Sequence, residues 1–243
     1  MKNFTIILFL TICNLSYSQT NDHKEKFKNI ESDVWMSIWD IENSNASFSF
    51  DTISYDDIPK YLDFRGTVVE ALKWTDKTGD NILIQSVSGH FNWKDYVSDS
   101  SSYMLQDKWE IYAYLFTKGK GKTEYKRVWR VYDYTECFGV DWYAGFIPKA
   151  TTVTDIDKDG VAEICMPYVS ICRGGMDAGT MKIIMYEGTR KYALRGTTMV
   201  FCADINKEEG VYKPSENLKE NKTFMDFMHN RWETHKCENK RFY

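Results

Sequence analysis

The run ATTVTDIDKDGVAEICMPY, Ala150 to Tyr168, decides how this chain is to be read. With Asp155 as position 1, Asp157 falls at 3, Asp159 at 5, Gly160 at 6, Val161 at 7 and Glu163 at 9. The hexad D-x-D-x-D-G serves both helix–loop–helix and strand–loop–strand calcium sites, so the flanks arbitrate. An EF-hand requires a bidentate glutamate at position 12, and Met166 stands there. ATTVT before the loop and VAEICMPY after it are rich in β-branched and apolar residues without helical periodicity. The stretch therefore predicts a strand, an acidic turn and a second strand, and it places the middle of the chain in a β-structure.

The chemistry of the turn follows from its charges. Carboxylates packed this closely repel and raise one another's pKa unless a cation lies among them. Hard divalent ions take six to eight oxygens, and Ca²⁺ tolerates irregular geometry. Alternation turns the side chains of Asp155, Asp157 and Asp159 inward, while Gly160 supplies the sharp bend. The Val161 carbonyl and the Glu163 carboxylate complete a candidate ligand set that leaves little open coordination, which suits a structural calcium. At a Kd on the order of 10⁻⁴ M and roughly 1 mM free Ca²⁺, such an ion stabilises the fold by about 1.4 kcal/mol. The competing reading is an acidic β-turn that merely favours Asp and Gly. The loop resembles the calcium loops of FG-GAP and VCBS-type repeats, D-x-D-x-D-G-x-x-D, with Glu163 in place of the last aspartate. Those proteins repeat the motif in propeller blades; here it occurs once, which argues against a propeller.

Outward from the loop, strand signals recur. FRGTVVEALKW (Phe64–Trp74) and NILIQSV (Asn81–Val87) flank the turn TDKTGD. EIYAYLF (Glu110–Phe116) and YKRVWRVYDY (Tyr125–Tyr134) flank TKGKGKTE, and MKIIMY (Met181–Tyr186) and KYALRG (Lys191–Gly196) flank EGTR. Three hairpins at such spacing predict a mainly β, antiparallel sandwich or curved sheet. Near the end, Thr223 with Asp226 three residues on reads as an N-cap, and Phe224, Phe227, Met228 and Trp232 share one helical face. This predicts a C-terminal amphipathic helix packed on the sheet.

The N-terminus reads as a secretory signal peptide over residues 1–18. Lys2 is followed by the apolar run Phe4–Ile12, which is too short to span a bilayer, and Ser16 and Ser18 stand at the positions a signal peptidase reads. A lipoprotein signal ending at Cys13 is the rival. Residues 19–47 form a polar lead-in in which Trp35 and Trp39 fit a short helix or a strand, and residues 48–243 form one β-rich domain. The formal net charge of −4 offers no basic surface for nucleic acid. Export permits disulfides. Cys137, Cys165, Cys172, Cys202 and Cys237 remain after cleavage, an odd count that leaves at least one free or paired with another chain. Spacing does not determine connectivity. The favoured pair is Cys137 with Cys172, since both flank the acidic loop beside turn-forming residues, and Cys165 in its apolar run reads as a buried thiol.

Other motifs carry less. GKGKT (Gly119–Thr123) ends like a phosphate-binding loop, but Phe116 replaces the leading glycine and the segment joins two strands. His229 and His235 are six residues apart, on different helix faces. Trp74, Trp93, Trp109, Trp129, Trp142 and Tyr143 form a core or a sugar-stacking platform. FNWKDY (Phe91–Tyr96), expected between strands, is the local candidate for the latter. In CRGGMDAG (Cys172–Gly179), Arg173 and Asp177 are candidate ligand contacts, against the reading of a glycine-rich turn.

Taken together, DDIPKYLDFRGTVVEALKWTDKTGDNI, VTDIDKDGVAEI and MKIIMYEGTRKYALRG resemble a family of exported flavobacterial proteins labelled surface polysaccharide biosynthesis proteins, from about Phe48 to Gly196. Members carry Cys-His-Gly-Asp or a similar run where this chain has Cys172-Arg173-Gly174-Gly175. The resemblance implies a role in making or presenting envelope polysaccharide and carries over no catalytic residue. Three expectations follow. The first is a calcium-stabilised exported module that binds a glycan or an envelope protein without catalysis, in the periplasm or at the cell surface. The second is a hydrolase or other enzyme acting on surface polysaccharide, and the third is an inhibitor or immunity-type protein.

Overall fold

The computed structural model describes residues 50–96, 103–138, 141–202 and 209–238. The expected leader at 1–18 and the expected lead-in at 19–47, with Trp35 and Trp39, lie outside them. The fold is mainly β, with two antiparallel sheets packed face to face and a C-terminal helix on the second.

The first sheet has the order β1–β2–β3–β4–β5. Its strands are β1 (Asp51–Thr52), β2 (Thr67–Asp76), β3 (Gly79–Tyr96), β4 (Tyr103–Lys118) and β5 (Lys126–Cys137). β2 and β3 pair directly across Lys77 and Thr78, and β4 and β5 pair across the Gly119–Tyr125 tip that carries GKGKT. β3 and β4 run to 18 and 16 residues, well beyond the stretches that read as strands by composition. FNWKDY is the last third of β3, paired residue by residue with β4, and not a segment between strands. Its alternation of half-buried and exposed residues is the period-2 pattern of a half-exposed strand. A register shift between Val87 and His90 lets the long strand bend there.

The second sheet has the order β11–β10–β9–β8–β6, with β7 pairing on β8. It comprises β6 (Asp141–Phe146), β7 (Thr152–Thr154), β8 (Glu163–Arg173), β9 (Thr180–Glu187), β10 (Arg190–Thr197) and β11 (Tyr212–Pro214). β7 pairs with the start of β8 and β6 with its end. Pro167, which has no N–H to give, sits where the neighbour changes, and its carbonyl accepts from Ile147 N at 3.0 Å. Between the sheets Trp129 stacks on Tyr186 at 4.3 Å and Trp109 meets Tyr143 edge-on at 5.2 Å. Trp74, Trp109, Trp129 and Tyr143 are all buried, so four of the six aromatics weighed as a sugar platform belong to the core.

A short helix α1 (Glu216–Lys219) leads into α2 (Lys222–His235). The N-cap is Asn221, whose side chain accepts from Phe224 N at 3.0 Å, and not Thr223, which lies inside the first turn. Asn caps as well as Thr does, and it stands in reach of the third amide of the turn. Phe224, Met228 and Trp232 are fully buried against the outer side of the second sheet, where Phe224 meets Tyr192 edge-on at 5.0 Å. On the opposite outer surface, Ile58 and Leu62 of the segment following β1 cover Ile82, Ile84, Tyr114 and Phe116 of the first sheet.

Candidate metal centre

The acidic turn joins β7 to β8 as a strand–loop–strand unit. Lys158 and Gly160 adopt φ of 63° and 86°, and this left-handed pair of steps folds the loop back on itself. Each aspartate accepts from the loop's own backbone. Gly160 N donates to Asp155 at 3.3 Å, Asp159 N to Asp157 at 3.2 Å, and Val161 N to Asp159 at 2.7 Å. These bonds turn the three side chains toward one another. One oxygen from each of Asp155, Asp157 and Asp159 lies within 4.8 Å of the others, about the span across a divalent ion whose ligands sit 2.3–2.6 Å away.

The turn of the β2–β3 hairpin closes on the loop from the first sheet. Lys77 N donates to Gly160 O at 2.8 Å, Lys77 Nζ to Asp159 O at 3.2 Å, and Ala162 N to Asp76 Oδ2 at 3.1 Å. The cluster thus sits where the two sheets meet. Burial alone would raise Asp76, but the hydrogen bonds it accepts from Thr78, Ala162 and Trp74 hold its carboxyl below the usual carboxylate range.

Glu163 opens β8 and is 0% exposed. Its Oε2 accepts from Ile156 N at 2.7 Å and Thr154 Oγ1 at 3.3 Å. Its Oε1 is buried with no hydrogen-bond partner among the described residues. Burial pushes the carboxyl up to about 7, with Asp157 and Asp155 adding repulsion and the Ile156 amide opposing the rise. Opposite it in the β8–β9 register stands Glu187. Like charges directly across a ladder are destabilising. Glu187 is likewise raised, first by burial and then by Asp157 and Asp159. Asp157, Glu163 and Glu187 form a second group with oxygens within 4.8 Å of one another. The exposed acidic cluster can therefore hold a metal ion. Glu187 closes its strand 24 positions after Glu163, and only the strand register brings the two together. Val161 occupies the expected seventh position, half-buried at the exit of the turn.

At the other end of β8, Cys137 and Cys172 form a disulfide with Cα atoms 5.4 Å apart, and Cys202 pairs with Cys237 at 5.6 Å. Cys165 is a buried free thiol, pushed up to about 12 by burial. Arg173 donates to the carbonyl of Asp177 at 2.7 Å and forms an ion pair with buried Glu238 at 2.9 Å. Its guanidinium is committed within the fold, and the exposed Asp177 contributes its backbone to that arrangement.

A surface that composition did not reveal lies on the outside of the first sheet. Tyr112 faces Tyr132 directly across the β4–β5 pair and Tyr134 follows two residues on, with ring centroids 5.4 and 5.8 Å apart, and the last two are 42% and 44% exposed. Tyr112 and Tyr132 donate to Glu110, the latter at 2.8 Å. Lys108 lies 4.4 Å over the Tyr134 ring and 3.2 Å from Glu136. Burial alone would raise Glu110, but the bonds from Tyr112 and Tyr132 and the charge of Lys108 carry it below the usual carboxylate range. The pattern is set by the β4–β5 register, which opposes Lys108 to Glu136, Glu110 to Tyr134 and Tyr112 to Tyr132 and which composition does not show.

The two disulfides point to an oxidising compartment. Among the described residues no helix is long and apolar enough to cross a membrane. No family model, no curated protein and no solved structure matches the chain.

Proposed function

We propose that the protein is an exported, calcium-braced β-sandwich of the periplasm or cell surface that binds an envelope glycan or envelope protein and catalyses no reaction. Calcium is held by Asp155, Asp157, Asp159, the Val161 carbonyl and Glu163. The observation that carries this reading is Glu163, a fully buried carboxylate with an orphaned oxygen beside other carboxylates. A buried polar atom without a partner costs about 1–3 kcal/mol, and a cation removes that cost. Ca²⁺ fits an all-oxygen, irregular, partly exposed donor set better than zinc, which prefers nitrogen and sulfur. The leader peptide and the disulfides support export.

The tyrosine ladder supports the binding role. Flat rings alternating with Glu110, Lys108 and Glu136 suit a sugar, whose C–H faces stack on aromatics while its hydroxyls meet charged groups. Glu110 is held low, the opposite of the raised value a general acid of glycoside hydrolysis needs. The test is thermal melting of the exported chain in EDTA and in 1 mM CaCl₂. Calcium should raise the midpoint by about 3–6 °C per bound ion, from about 1.4 kcal/mol in a domain of this size. Equal midpoints would remove the calcium brace. In parallel, Tyr132→Ala with Tyr134→Ala should weaken retention on immobilised surface polysaccharide by about fivefold, at roughly 1 kcal/mol for the lost aromatic contacts, without changing the shift of the midpoint by calcium. Undiminished retention would remove the ladder as the binding face.

A further inference from the structure

We infer that the acidic turn holds two divalent cations, not one: an outer ion on Asp155, Asp157 and Asp159, and an inner ion on Asp157, Glu163 and Glu187, with Asp157 shared between them. The inference rests on the proposed calcium reading and changes its ligand assignment. Glu163 moves from closing the outer site to forming an inner one, and Glu187 becomes a ligand.

Three observations carry it. The five carboxylates fall into two overlapping triads, each within 4.8 Å, with Asp157 as the common member. One ion at 2.3–2.6 Å from its ligands spans about 5 Å between opposite oxygens, so each triad matches one ion and the set as a whole matches two. The inner triad contains the fully buried Glu163, whose Oε1 has no hydrogen-bond partner among the described residues. A D-x-D-x-D-G turn alone explains neither that oxygen nor the placement of Glu187 directly across the β8–β9 ladder from Glu163. Two glutamates facing each other there repel unless a positive charge lies between them. Charge balance agrees: the five carboxylates carry more negative charge than one divalent ion and Lys77, whose Nζ reaches the Asp159 carbonyl at 3.2 Å, together neutralise.

The two ions do different work. All three outer ligands come from one loop, so the outer ion closes that loop on itself. The inner ligands come from the loop, from β8 and from the end of β9. The next residue, Gly188, accepts a hydrogen bond from Trp129 Nε1 of the first sheet at 3.1 Å. The inner ion therefore ties the loop to the second sheet at a point where the first sheet also attaches.

Equilibrium dialysis of the disulfide-intact exported chain against ⁴⁵Ca²⁺ counts the ions directly. The expected result is two per chain, falling to one in Glu187→Gln and to one in Asp159→Asn. A count of one in the unaltered chain overturns the inference, whether or not Glu187→Gln abolishes it, and leaves the calcium reading standing. A count of zero overturns both. Because the unaltered chain alone separates these outcomes, the test survives a variant that fails to fold.

Discussion

The two ends of β8 place a buried glutamate in opposite circumstances. At the far end Glu238, 3% exposed, meets both terminal nitrogens of Arg173, at 3.1 and 2.9 Å, together with the Thr198 hydroxyl and Gly179 N at 3.3 Å. The Cys137–Cys172 disulfide lies one residue away. At the near end Glu163, 0% exposed, has one oxygen satisfied by Ile156 and Thr154 and the other by nothing among the described residues. The ends are about 33 Å apart along an 11-residue strand. One end neutralises its buried charge with a covalently fixed cation and is complete in itself. The other surrounds its buried charge with further negative charge, an arrangement that can hold a metal ion. Two chemically identical side chains thus differ in whether the described residues satisfy both of their oxygens.

The sharpest way to break the comparison is to convert the complete end into the incomplete one. Arg173→Ala leaves Glu238 buried and unpaired, which should cost about 3–5 kcal/mol. Glu238 would then resemble Glu163 without its ion. Chemical denaturation of the single variant, and of Arg173→Met combined with Glu238→Leu, separates the causes. The double variant should recover most of the loss, because replacing both partners by apolar groups removes the uncompensated charge. An Arg173→Ala protein as stable as the parent would mean that the pair contributes nothing.

A third glutamate shows what happens with neither device. Glu70 of β2 points between the sheets, where the Thr151 hydroxyl is its hydrogen-bonding partner and Thr151 in turn accepts from Gln85 at 2.8 Å. Burial pushes its carboxyl up to about 7, so below that pH it holds a proton in place of a cation. The native state then binds more protons than the unfolded chain between the ordinary value of 4.5 and about 7. The stabilising contribution is complete below the unfolded value and is lost as pH rises through the folded one. Between pH 4.5 and 8 the parent should therefore lose about 2 kcal/mol relative to Glu70→Gln, less than the full shift implies because part of the side chain meets water. Urea melts of both proteins across that range measure it, and parallel curves would show that Glu70 ionises as an exposed glutamate does.

These three residues also mark how far the sequence could be read. The hairpins were legible because alternation and turn chemistry are local, and the D-x-D-x-D-G turn because its three carboxylates lie within five residues. The long strands outran their legible parts. FNWKDY carries its aromatics on a half-exposed strand that continues past a bulge, and composition alone suggested a break. Glu187, Arg173–Glu238 and the Tyr112–Tyr132–Tyr134 ladder depend on register and on contacts between distant segments. No one-dimensional period encodes those contacts. The Cys202–Cys237 pair was hidden for the same reason, since its separation of 35 equals that of Cys137–Cys172.

The smallest predicted effect is the most discriminating, because its sign depends on the solution. Glu163→Gln keeps the shape of the side chain and removes the charge. In EDTA at pH 8 the parent carries a buried carboxylate repelled by Asp157 and Asp155, and the amide relieves that repulsion. The variant should then be more stable than the parent by about 1 kcal/mol. In 1 mM CaCl₂ the parent recovers about 1.4 kcal/mol for each ion bound, while the variant has lost a charged ligand and gains less. The order of the two melting curves should reverse. At the other end, Glu238→Gln should destabilise equally in both buffers, since its cation is Arg173 and no chelator removes it. A Glu163→Gln protein that is less stable in EDTA as well would place Glu163 with Glu238 as a residue satisfied by the protein alone, and the contrast between the two ends of β8 would disappear.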